Sequence, residues 1–135
     1  MSDQLALFLT AVGTGAILIA AGWLLLRLAR RAAAGTLKRN QIAGIRTRAT
    51  LSSEAAWRAA HIAAESDSVR GARGLIIGGL AAGATGTLAL AGLPFPIAAA
   101  IFTVLALGST TWLLIWTLRG AAVGEKAAVR TIAKK

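Results

Sequence analysis

The chain has 135 residues, 56% of them hydrophobic, a mean hydropathy of +0.68, a formal charge of +10 and no cysteine. That length favours one domain, and the missing cysteines exclude disulfides, thiolate metal sites and lipid anchoring through a thiol. The apolar excess lies in two uncharged runs, Gln4 to Leu26 and Gly74 to Leu118. These exclude an ordinary water-soluble domain, whose core helices rarely exceed about 10–14 uninterrupted apolar residues.

A bilayer core of about 30 Å needs about 20 helical residues at about 1.5 Å each. The first run is therefore one span, predicted over residues 5–26. It carries Gly13, Gly15 and Gly22, and ends at Trp23 followed by Arg27, Arg30 and Arg31. An aromatic residue followed by a basic cluster anchors a helix at the membrane interface. No basic segment precedes the run, the run is long and its charge follows it, so it does not read as a cleavable signal peptide.

Residues 27–73 form a connection too long to be a simple turn. Leu28 to Leu37 is expected to prolong the first helix, with Gly35 weakening the extension. Asn40 to Thr47 reads as turn or extended structure, in which Gly44 supplies a left-handed or close-approach position. Thr50, Ser52 and Ser53 are candidate helix caps and Glu54 lies in the first turn, where it complements the helix dipole. A short amphipathic helix is expected to run from there to about Ala64 along the membrane surface. Trp57 is its interfacial anchor, and Ser66, Asp67 and Ser68 break it from the next span.

The second run is too long for one crossing and fits two, predicted over 74–93 and 97–118. The sequence Ala91-Gly92-Leu93-Pro94-Phe95-Pro96 ends one helix and starts the next. Gly79 and Gly83 form a GxxxG pair, and Ala82 and Gly86 repeat the spacing. Small residues let helix backbones approach closely in lipid, so this helix packs between the other two or forms a dimer seam. Trp112 and Trp116, four apart on one face near the cytoplasmic end of the third helix, read as an aromatic belt, with a binding surface as the alternative. The tail covers 119–135. The fold class is therefore all-α: an integral membrane three-helix bundle in one domain, with a cytoplasmic loop containing a short amphipathic helix.

Ten of the 15 Lys and Arg lie between Arg27 and Arg73 and five lie from Arg119 onward. With three spans, both regions fall on one side, which the positive-inside rule makes cytoplasmic. The expected topology is N-terminus outside and C-terminus cytoplasmic, in a plasma membrane. The basic residues are scattered along membrane-flanking segments without a recognisable nucleic-acid-binding fold, so the lipid bilayer is the expected partner and nucleic acid is not. No span contains Asp, Glu, Lys, Arg or His, which disfavours ion-coupled transport and proton relay. The hydroxyls at membrane depth are expected to hydrogen-bond back to helical carbonyls.

The polar cassette from Arg39 to His61 is what apolar patterning cannot explain. Glu54, Trp57 and His61 share a helical face that Glu65 continues, and Glu54 is spaced to pair with Arg58. His61 reads as a hydrogen-bonded ring docking the helix, with pH sensing or metal binding as the sharper alternative. One histidine and scattered carboxylates make a poor zinc site, so neither a metal nor a cofactor is assigned. Ser52 and Ser53 lack a nearby base and an oxyanion motif, which leaves no catalytic residue to name. Arg39 and Arg46 flank the glycine turn, where they would bind phosphate or pair with Glu54 and backbone carbonyls.

The run Arg39-Asn40, Gly44-Ile45-Arg46-Thr47, Thr50-Leu51-Ser52-Ser53-Glu54, Trp57 and His61 resembles the signature of the SdpI family, small bacterial integral membrane proteins of the immunity type. Arg48-Ala49 departs from it, where the family tends to carry proline and an aromatic. The number and order of helices extend the resemblance along the chain, which looks like a minimal, one-unit version. The resemblance implies Arg39, Asn40, Gly44, Arg46, Thr47, Thr50, Ser53, Glu54, Trp57 and His61 as the motif and docking residues. It implies a non-enzymatic role in immunity to, or signalling of, a membrane-active toxin peptide. Candidate partners are that peptide, a cytoplasmic repressor, another membrane protein or a second copy of the chain. Two other readings are a small accessory subunit of a larger membrane complex, motivated by Gly79, Gly83 and Gly86, and a metal-dependent membrane enzyme using Glu54, His61 and Glu65.

Overall fold

The computed structural model describes residues 2–134. Three helices account for most of them: α1 (Asp3–Ala33), α2 (Glu54–Leu90) and α3 (Phe95–Ala133). There is no strand among the described residues, and all three helices are long and apolar enough to cross a membrane. Two compact units can be distinguished. The first combines the stretch through Trp23 with Ala72–Leu113, and the second combines Leu24–Gly71 with the stretch from Leu114 onward.

Local chemistry sets each helix end. Ser2 caps α1, accepting the Leu5 N–H at 3.3 Å. α1 continues past the apolar run and stops where Gly35 takes a φ of 75°. There the Thr36 N–H bonds back to the Arg31 carbonyl at 2.9 Å and the Gly35 N–H to Ala32 at 3.1 Å, the paired bonds of a Schellman motif. Gly35 thus terminates the extension rather than weakening its middle. α2 ends the same way at Gly92, whose φ is 108°. α3 begins at Phe95 rather than at 97, because Pro94 offers its carbonyl to the N–H groups of Ile97 and Ala98 at 3.0 Å. Pro96 then sits inside the first turn, where a helix has no use for its missing N–H.

Two expectations fail here. No separate amphipathic helix lies before the second span: α2 runs unbroken from Glu54 to Leu90, through Ser66, Asp67 and Ser68. The polarity at Asp67 reflects a buried carboxylate held by two arginines, not a break. Nor does α3 stop at the end of the apolar run, since it continues to Ala133.

In the first unit α2 packs against α1 through glycines. A Cβ on Gly15 would lie 2.6 Å from the Gly79 carbonyl oxygen and 3.0 Å from Gly83 Cα. Gly86 faces Phe8 and Ala11, and Gly22 faces Ala72 and Ile76. Contact this close substitutes van der Waals packing for the hydrophobic drive that lipid removes. On the α3 side of the unit, Gly78 receives Ser109 and Gly74 receives the Trp112 ring. Gly79 and Gly83 therefore meet α1 within the chain. An apolar groove lined by Val12, Ile19, Leu80 and Thr87 runs beside Gly15 and Gly83. Leu7, Ala89 and Ala98 form a core cluster at the Gly92–Pro94 end. The hydroxyls of Thr10, Thr85, Thr87, Thr103, Ser109 and Thr110 all donate to carbonyls of their own helices.

Candidate functional site: a closed polar cassette

In the second unit the segment 34–53 folds over α2 and α3. The helices meet through alanine and glycine: Ala56, Ala60 and Ala128 form a buried cluster against which Ala49 packs. A Cβ on Gly124 would stand 3.0 Å from the Ala60 carbonyl oxygen and 2.8 Å from Ile45 Cδ1. Two four-residue repeats cause this, Ala56-Ala60-Ala64 on α2 and Gly120-Gly124-Ala128 on α3. Each puts its small residues on one helical face.

Trp57 and His61 stand one turn apart on the same α2 face and both are buried. Their ring centroids are 4.2 Å apart with planes tilted by 43°. Trp57 is therefore no interfacial anchor. Its indole Nε1–H donates to the Leu37 carbonyl at 3.0 Å and so fixes the start of the cassette. His61 fixes the middle. The Ile45 backbone N–H points at Nε2 at 2.9 Å, and Nδ1 lies 2.8 Å from the Trp57 carbonyl. A backbone N–H can only donate, so Nε2 accepts and the ring proton sits on Nδ1, donated to Trp57. Burial pushes the His61 pKa below its ordinary value of 6.5, while the Trp57 carbonyl acts in the opposite direction.

Gly44 lies against both rings with a φ of 103°. The turn before it is set by Asn40, whose Oδ1 accepts the N–H groups of Ile42 and Ala43 and whose Nδ2 donates to Lys38, each at 2.8 Å. Arg46 closes the turn by donating to the Gln41 carbonyl at 2.6 Å. Ile42, at the tip, is 87% exposed.

A second turn carries the threonines. The fully buried Thr50 donates its hydroxyl to the Ile45 carbonyl at 2.7 Å and accepts the Thr47 N–H at 2.9 Å. The Thr47 hydroxyl accepts the Thr50 N–H at 3.1 Å and donates to the Glu125 carboxylate on α3. Thr50 and Ser52 are therefore turn residues, with the Ser52 hydroxyl donating to Ala49. The α2 cap is Ser53, whose Oγ accepts the Ala56 N–H at 3.1 Å.

Arg39 completes the enclosure, donating to the Leu51 carbonyl at 2.6 Å and pairing through Nε with Glu54 at 3.3 Å. Glu54 thus pairs with Arg39 rather than with Arg58, whose guanidinium lies over Gly35. Glu54 is exposed, Glu65 half-buried and His61 buried. No group of three or more His, Cys, Asp or Glu among the described residues is placed to hold a metal ion. Arg39, Asn40, Gly44, Arg46, Thr47, Thr50, Ser53, Trp57 and His61 are all drawn into one hydrogen-bonded enclosure, with Glu54 at its rim.

Sequence reasoning misses the α3 side of this unit: Glu125, Gly120, Gly124 and Arg119. The Gly120-Gly124-Ala128 spacing is the signal that could have revealed it. Asp67 is missed too. It is buried, its Oδ1 pairs with Arg70 Nη1 and its Oδ2 with Arg119 Nε, both at 3.3 Å.

Nothing matches this chain among the curated proteins or the solved structures. The SdpI/YfhL protein family matches residues 36–123, which take in the cassette, all of α2 and most of α3. That stretch is more than half of the chain and contains every residue from Arg39 to His61, so the chain belongs to the SdpI/YfhL protein family.

Proposed function

We propose that this protein is a non-enzymatic plasma-membrane protein of SdpI type that confers immunity to, or signals the presence of, a membrane-active toxin peptide. The observation that carries the reading is the family match over a cassette whose polar groups are turned inward. Both ring nitrogens of His61, both threonine hydroxyls and the guanidinium groups of Arg39 and Arg46 are engaged in holding the segment closed. A nucleophile–base pair needs such groups turned toward a substrate; here they serve a rigid surface.

The distribution of Lys and Arg supports a cytoplasmic position for the cassette. Recognition of a peptide arriving from outside then falls to the spans and the short Gly92–Pro94 turn, and the apolar groove beside Gly15 offers a lipid-accessible surface for it. The cassette would serve a cytoplasmic partner. Its tip carries the exposed Ile42 between Arg39 and Arg46.

The test is sensitivity. Cells lacking the protein are exposed to a panel of membrane-active peptides, with and without complementation. Greater sensitivity to at least one peptide, reversed by the wild-type chain, is expected. Unchanged sensitivity across the panel would refute the immunity reading.

A further inference from the structure

The Asp67, Arg70, Arg119 and Trp116 cluster belongs to no part of the cassette. The carboxylate is inside and the cations are outside: the Asp67 side chain is 6% exposed, against 55% for Arg70 and 62% for Arg119. Each carboxylate oxygen holds one arginine. Both guanidinium groups also lie over the same Trp116 ring, with Cζ at 5.1 Å from its centroid for Arg70 and 5.0 Å for Arg119. Two cations are thereby pinned beside one ring and share one anion, leaving a net positive charge at a half-exposed surface. Arginine offers five N–H donors in a rigid fork, and the Arg119 pairing with Asp67 is made through Nε.

We propose that Arg70 and Arg119 form a binding site for the phosphate of an anionic phospholipid, preorganised by Asp67 and Trp116. Guanidinium groups are well matched to phosphate oxygens, and fixing them in advance lowers the entropy lost on binding. The surroundings point to a lipid rather than to free phosphate. Arg119 follows directly on the α3 apolar run, where Ile115 is 57% and Leu118 61% exposed. Ile115 lies one turn before Arg119 on the same face. A phosphodiester with an acyl chain satisfies both the cations and this apolar strip. A zwitterionic headgroup would carry its own ammonium into the positive site.

The experiment uses the full chain in phosphatidylcholine nanodiscs doped with a few mole per cent of phosphatidylglycerol brominated on its acyl chains, read by quenching of tryptophan fluorescence. Wild type is expected to show more quenching than with equally brominated phosphatidylcholine, and Trp116→Phe to lose that excess. Arg119→Gln should weaken the apparent phosphatidylglycerol affinity about fivefold. Lys126→Gln, the same loss of charge two turns further along α3, should not. Equal quenching by the two lipids in wild type overturns the site without recourse to any variant that might not fold. Equal effects of Arg119→Gln and Lys126→Gln reduce the preference to bulk charge and also overturn it. The excess should survive millimolar inorganic phosphate; abolition would assign the site to free phosphate and overturn the lipid.

Discussion

Replacing Gly44 by alanine would put a methyl group where two rings already meet. The added Cβ would stand 2.5 Å from His61 Nε2, 2.9 Å from Trp57 Cη2 and 3.1 Å from Trp57 Cζ2. Neither ring can retreat without loss: His61 is hydrogen-bonded at both nitrogens and Trp57 is tied to the Leu37 carbonyl. The φ of 103° adds backbone strain for any L residue with a side chain. Strain of about 1–3 kcal/mol and overpacking of about 1–3 kcal/mol give a destabilisation of about 2–6 kcal/mol for the cassette. Its opening is a local event, so the assay is hydrogen exchange of the Ile45 amide, which the bond to His61 protects. Protection should fall by about 30-fold or more. If Gly44→Ala exchanged within about threefold of wild type, the ring contact and the left-handed turn would not hold the segment down.

The remaining predictions address other joints. Because the folded pKa of His61 lies below 6.5, the folded cassette favours the neutral ring. That stabilisation is fully present above about pH 6.5 and declines as pH falls toward the folded value, since a proton on Nε2 would face the Ile45 N–H. Exchange of Ile45, corrected for intrinsic rate, should thus accelerate between pH 7.5 and 5.5 in wild type and stay flat in His61→Gln. Glu125→Ala should lower stability by about 1–3 kcal/mol through loss of a charge-assisted bond to Thr47, with Glu125→Gln milder. A double-mutant cycle with Thr47→Val should return a coupling of about 0.5–3 kcal/mol, and none would mean the contact is idle. Gly15→Ala, with its Cβ 2.6 Å from the Gly79 carbonyl, should cost about 1–3 kcal/mol in detergent unfolding. Gly13→Ala meets nothing within 4 Å and should be neutral or stabilising by up to about 1 kcal/mol; similar losses at both would refute the glycine seam.

Much of the fold is legible before any coordinates. Span number follows from the lengths of the uncharged runs, and the Gly92–Pro94 turn from residues that cannot continue a helix. Within the cassette, Gly44 at a positive φ and Asn40 in a turn follow from backbone chemistry alone. Two of the errors share one cause. Ser66, Asp67 and Ser68 look like a break because polarity within a chain reads as exposure. Here Asp67 is buried, with Arg119 reaching it from α3. Trp57 looks like an interface anchor for the same reason, although its partner is the Leu37 carbonyl, 20 residues earlier.

The sequence by itself determined three helices long and apolar enough to cross a membrane, the turn between the second and third, and the family to which the chain belongs. These depend on local rules: run length, helix-ending glycine and proline, and side chains at fixed spacing. Only tertiary structure decided that the cassette is a closed enclosure rather than a surface helix, and that Glu125 and Arg119 help to build the second unit. A hydrogen bond joining Thr47 to Glu125, or an ion pair joining Asp67 to Arg119, depends on the distance between helices. That distance is set by the Gly120, Gly124 and Ala60 contacts and is not written in either partner's own neighbourhood.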